Sequence, residues 1–127
     1  MAPTAASIIL TDARDLVARG WCQTDDARDA RGATVPPGSP DACCWSLLGA
    51  IVASSGGPER LRSDRRTLAD VAKASLAVGL ATGEESLRDW NDAPGRTSAE
   101  VIAAFDEALA LLERFLPTAF DLAGRTG

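Results

Sequence analysis

Apolar positions recur along this chain at helical spacing, three and four residues apart, in several separate stretches. In the first stretch Ile9, Ala13, Leu16 and Val17 share one face. This predicts a helix over 5–19, opened by Pro3 and Thr4 and closed by Gly20, where a positive φ is expected. Residues 21–38, WCQTDDARDARGATVPPG, break the pattern and read as a long loop. Ser39, Pro40 and Asp41 then suit a helix start. The run ACCWSLLGAIVAS that follows is nearly all apolar or small, so 40–54 is predicted as a buried central helix. Gly49 within it points to close approach of another helix, because a mid-helix glycine otherwise costs about 1 kcal/mol against alanine.

Ser55-Gly56-Gly57-Pro58 ends that segment. A third helix is predicted over 64–80, with Leu68, Val71, Ala72, Ser75, Leu76 and Leu80 facing inward. Thr82 and Glu85 have the spacing of a capping box and predict a short helix over 83–90 ending on Trp90. Residues 91–96 read as a turn. Thr97 and Glu100 form a second capping box, opening a helix over 98–116 that carries Val101, Ile102, Phe105, Ala108, Leu109, Leu112 and Phe115 on one side. Pro117 stops it, and 118–127 reads as a short mobile tail. No stretch reads as a strand and none repeats. The expected architecture is therefore an all-α, single-domain orthogonal bundle of about five helices over 1–127.

Composition narrows the chemistry. An apolar content of 46% with 24% charged residues is that of a globular domain. The net charge of −5 argues against nucleic acid or an anionic membrane as partner. Lys73 is the single lysine among 13 basic residues, a bias that points to a GC-rich genome rather than to phosphate binding. There is no histidine and no tyrosine, which removes His-based triads, dyads and metal ligands together with phenol chemistry. Cys22, Cys43 and Cys44 form no CxxC pair, and Asp25, Asp26 and Asp29 do not fit a calcium loop, so neither metal nor cofactor is expected. No run is long and apolar enough for a membrane span, and the first 20 residues do not read as a signal peptide, so a cytoplasmic protein with reduced thiols is expected.

Five short motifs occur in order: Gly20-Trp21-Cys22-Gln23, ARDARG over 27–32, Trp45-Ser46-Leu47-Leu48-Gly49-Ala50, Trp90-Asn91-Asp92 and Gly95-Arg96-Thr97. Their combination, over about residues 8–113, resembles a small bacterial and phage domain family of unknown function. That family has Trp-Cys where this chain has Trp45-Ser46, and the resemblance implies no activity. With serine there and no histidine anywhere, no nucleophile–base pair is recognisable in the chain.

The candidate site combines Trp21, Trp45 and Trp90 with Gln23, Asn91, Asp92 and Arg96, with loop 21–38 packed on the 90–97 turn. Read functionally, it is a Trp-lined, polar-rimmed surface of a non-catalytic binding or accessory domain that recognises a small ligand or a partner protein. Asn91→Ala or Arg96→Ala is then expected to lose binding with little loss of stability. Read structurally, the indoles pack in the core, Asn91 and Asp92 shape a turn, Thr97 caps a helix and Arg96 pairs with Asp92. Two other functions compete. One is a small enzyme using a carboxylate such as Asp92, with Cys22 as nucleophile. The other is a DNA-binding regulator, because residues 67–73 resemble the first helix of lac-repressor-type helix-turn-helix domains. Against the regulator, no glycine turn follows Lys73 and the would-be recognition segment near Glu84 and Glu85 is acidic. Homodimerisation stays open.

Overall fold

The computed structural model describes residues 3–114. Helix α1 runs over Ala5–Arg19, as the periodicity predicts, with the Thr4 side chain accepting from the Ser7 backbone N–H. Ala6, Ile9, Leu10, Ala13 and Val17 are its buried face. Gly20 is extended rather than left-handed, so its role is not a helix stop. It is needed because a Cβ there would run into the backbone carbonyl of Cys43.

The stretch expected to be loop and then helix contains the fold's only β-pairing among the described residues. Strands β1 (Ala27–Arg28) and β2 (Cys44–Trp45) are antiparallel, with Ala27 opposite Trp45 and Arg28 opposite Cys44. The segment after α1 lies on the other side of β2. Cys22 donates its N–H to Trp45 and Trp45 donates to Gly20, at 3.2 and 3.0 Å.

Helix α2 therefore starts late, at Leu47, and ends at Ser54. The sequence pattern predicts residues 40–46 as its first turns. Instead Ser39 accepts from Asp41 in a local turn, and Ser46 provides the cap by accepting from Gly49 N–H at 3.0 Å. The competing pull is strand pairing of Cys44 and Trp45, which holds them extended. Gly49 does allow a close approach, but by the loop backbone at Asp26, which a Cβ would strike, rather than by another helix.

A short helix α3 (Pro58–Ser63), absent from the predicted scheme, precedes α4 (Arg65–Thr82). Asp64 caps α4, accepting from the N–H groups of Arg66 and Thr67. Gly83, at φ 73°, closes it in the left-handed conformation. Thr82 thus ends a helix instead of opening one. Helix α5 runs over Leu87–Asp92, shifted from the predicted 83–90, with Ser86 capping Asp89. Helix α6 (Ser98–Arg114) opens on the Thr97–Glu100 capping box as predicted. The expected inward Phe115, the stop at Pro117 and the tail 118–127 lie outside the described residues.

One core cluster joins buried side chains of α1, α2, α4, α5 and α6, with Phe105, Leu10, Leu47 and Ile51 the largest fully buried members. Among the described residues the result is a mostly helical bundle of six helices with a two-stranded sheet. The main surprise is the orientation of α4. Its buried face is Thr67, Val71, Ala74, Ala77 and Val78. Of the residues expected inside, Val71 is buried, whereas Leu68, Leu76 and Leu80 are 52%, 54% and 61% exposed and Ala72 is also exposed. Both α1 and α6 pack on α4, and a face built on Ala74 and Ala77 admits neighbouring helices closely where a leucine face would hold them apart.

Candidate functional site

The segment after α1 packs on α5, and the residue that joins them is Asn91. Its side chain is fully buried. The amide oxygen accepts from the Trp21 indole N–H at 2.8 Å and from the backbone N–H of Leu47 at 3.0 Å. The amide nitrogen donates to the Cys22 carbonyl at 3.2 Å and to an Asp92 carboxylate oxygen at 3.0 Å. Both oxygen contacts are donors and both nitrogen contacts are acceptors, so the amide orientation follows from the network itself. The Leu47 N–H belongs to the first turn of α2, where helix donors lack an internal partner. Asn91 thus caps α2 from a distance while Ser46 caps it locally.

The other candidates surround this amide. Gln23 donates its side-chain N–H to the carbonyls of Asn91 and Ala93, at 3.0 and 3.1 Å. Asp92 also accepts from the Thr24 backbone N–H at 2.8 Å. That bond holds Thr24 at φ 77°, the one positive φ outside glycine among the described residues. Arg96 does not pair with Asp92. Its guanidinium lies 3.9 Å above the Trp90 ring centre, donates to the Trp90 carbonyl at 2.9 Å, and bridges to Glu100 at 3.0 Å. Trp45 stands apart on the strand side, donating its indole N–H to Pro37 and lying under Arg19. Trp21, Gln23, Trp90, Asn91, Asp92 and Arg96 therefore come together, but as a clasp whose polar groups are bonded to one another and to the backbone.

Titration follows the same contacts. Hydrogen bonds from Thr97 and the Arg96 guanidinium hold the Glu100 carboxyl below its ordinary range. A bond from Arg28 does the same to Asp25, and bonds from Thr67 to Asp64. Cys22 moves the other way. Burial, reinforced by the neighbouring Cys44 thiol, pushes it up to about 12. A thiol so displaced carries almost no thiolate at neutral pH and is a poor nucleophile. All three cysteines are free, and no cluster of metal-ligating side chains occurs among the described residues.

A second feature escaped the motif reading. A groove of about 800 Å³ runs between the outer face of α4 and the segment leading into α5. Leu48, Leu76, Leu80 and Leu87 form its apolar wall, and Glu84 and Glu85 form its lip. The signal was present in sequence: Leu68, Ala72, Leu76 and Leu80 lie four apart on one stripe, opposite a stripe of smaller residues.

Residues 1–111 match the model of a family of unknown function, DUF6197. The chain belongs to that family. No curated protein and no solved structure gives a significant match. The five short motifs of the sequence fall mainly on the clasp and its approaches: Trp21 and Gln23, the loop 27–32, Ser46 and Gly49, the 90–92 end of α5, and Arg96. Ser46, in the third of these motifs, serves as the cap of α2.

Proposed function

We propose that this protein is a non-catalytic binding and accessory domain of a bacterial cytoplasm that recognises a partner protein through the apolar groove between α4 and α5. The observation that carries the reading is the α4 face. Leu68, Leu76 and Leu80 are each more than half exposed on one stripe beside the groove. Contiguous exposed aliphatic surface on a small domain is characteristic of interaction sites. The tryptophan–asparagine clasp supports this role indirectly: it fixes the position of α5, which contributes Leu87 to the groove wall. Its polar groups already have internal partners, which speaks against the clasp as the recognition surface for a small ligand.

The competing functions draw less support. The raised Cys22 thiol and the missing histidine weigh against a cysteine enzyme. An uninterrupted α4 from Arg65 to Thr82 has no turn after Lys73 where a helix-turn-helix requires one. No helix among the described residues is long and apolar enough to cross a membrane.

Affinity capture with the wild-type chain, Leu76→Glu, Leu80→Glu and Arg96→Ala tests the reading. A partner retained by wild type and Arg96→Ala and lost by both leucine variants is the expected result. Capture indifferent to the groove substitutions sinks it.

A further inference from the structure

We infer that the occupant of the α4 groove is the α4 face of a second copy of this chain, packed antiparallel across a two-fold axis. The inference rests on the groove being the recognition surface and names its partner.

The argument is self-complementarity. A two-fold contact presents the same patch twice, so residues near one end of the patch must fit those near the other. The α4 stripe meets that condition. With two α4 helices antiparallel and centred between Ala72 and Leu76, Leu68 of one copy lies opposite Leu80 of the other, and Ala72 lies opposite Leu76. Large meets large at the ends. Small meets large at the middle, which lets the axes approach while the leucines interdigitate. Twelve residues separate Leu68 from Leu80, about 18 Å of helix at 1.5 Å per residue, or more than three turns of apolar seam in each copy. The groove of each copy flanks residues 72–83, so it faces the Leu68 end of the other helix.

Charge supplies the second, independent observation. Arg65 lies on the same stripe, one turn before Leu68, at the N-terminal end of the apolar face. Glu84 and Glu85 line the groove at the opposite end. No ion pair among the described residues involves Arg65, Glu84 or Glu85. The patch is basic at one end and acidic at the other. A parallel pair would set like charges together, whereas the antiparallel register sets Arg65 opposite Gly83 with Glu84 and Glu85 beside it, twice per dimer. Complementary ends of this kind select orientation and partner more than they add affinity.

Sedimentation equilibrium on the full chain is the first test. A dimer is expected, abolished by Leu76→Glu and by Leu68→Glu while the helical circular dichroism is unchanged. A monomeric wild type, or a dimer indifferent to both substitutions, overturns the inference. The second test addresses register. Arg65→Glu alone, and Glu84→Arg with Glu85→Arg, are each expected to weaken the homodimer about tenfold at low salt. Mixing the two variants is expected to restore a heterodimer, because every basic end then meets an acidic one. No recovery on mixing overturns the antiparallel arrangement. A photo-crosslinking residue at position 76 separates this inference from the broader reading. Adducts of twice the chain mass support the second copy. Adducts with a different protein overturn it and leave the groove as a docking surface, and no adduct overturns both.

Discussion

The Asn91 amide oxygen accepts the Trp21 indole N–H at 2.8 Å and the Leu47 backbone N–H at 3.0 Å in the same buried position. One side chain thereby ties the end of α5, the segment after α1 and the first turn of α2. Removing it strands several groups at once, and a buried donor left without a partner costs about 1–3 kcal/mol. Asn91→Ala is therefore expected to destabilise the protein by roughly 3 kcal/mol or more. This reverses the expectation, tied to reading Asn91 as part of a binding surface, that stability would barely change. Asn91→Asp keeps the acceptor but loses both donations and sets a second carboxylate beside Asp92, so it too is expected to destabilise, and more so as pH rises. Urea denaturation across pH 5–8 checks both; an Asn91→Ala midpoint near wild type would refute the clasp.

Asp92 separates a structural acceptor from a chemical carboxylate. Both of its bonds, from Thr24 N–H and from the Asn91 amide, end on the same oxygen. An amide oxygen serves equally well as acceptor. Asp92→Asn is expected to change stability by less than about 0.5 kcal/mol, whereas Asp92→Ala costs about 1–2 kcal/mol and releases Thr24 from its positive φ. Equal loss in the two variants would mean that the charge, not the acceptor, matters there.

What could be read from sequence was whatever is set locally. The Thr97–Glu100 box and the span of α1 depend on neighbours three or four residues away, and both are where periodicity places them. Strands β1 and β2 are two residues each, too short to carry an alternation, and their pairing is decided by Ala27 meeting Trp45 across the chain. Helix α4 has apolar residues on two faces. Hydrophobicity alone favours the leucine face as core, whereas close helix–helix packing favours the face with Ala74 and Ala77. At the clasp, the residue types Trp, Gln, Asn, Asp and Arg were legible, but two of Asn91's four partners are backbone groups, of Leu47 and Cys22, which no side-chain pattern announces.

Gly49 sets helix propensity against packing. In an isolated helix, alanine is better than glycine by about 1 kcal/mol. Here the added Cβ would strike the Asp26 backbone, which is itself held by the Ser46 N–H and by the Arg88–Asp26 ion pair. Gly49→Ala is expected to destabilise by about 2–4 kcal/mol, with Gly79→Ala as the control, since a Cβ at Gly79 meets only ordinary contacts. If Gly49→Ala melted at or above the wild-type temperature, the loop would have to sit elsewhere.

The cysteines give the pH-dependent prediction. Burial raises the Cys22 thiol from 9.0 to about 12, so between those values the folded protein holds a proton that the unfolded chain has released. Stability from this group is then fully present below pH 9 and falls as pH rises towards 12. Alkaline titration of the unfolding midpoint is expected to show that decline, and Cys22→Ala is expected to flatten it while costing stability at neutral pH through the lost packing. Alkylation of the native protein reads the same environment kinetically. Cys43 is exposed and Cys44 half-buried, so they react in that order, with Cys22 last and on the timescale of local opening. A Cys22 that reacted first at neutral pH would mean its thiolate is accessible and stabilised, and would return the cysteine enzyme to contention against the groove.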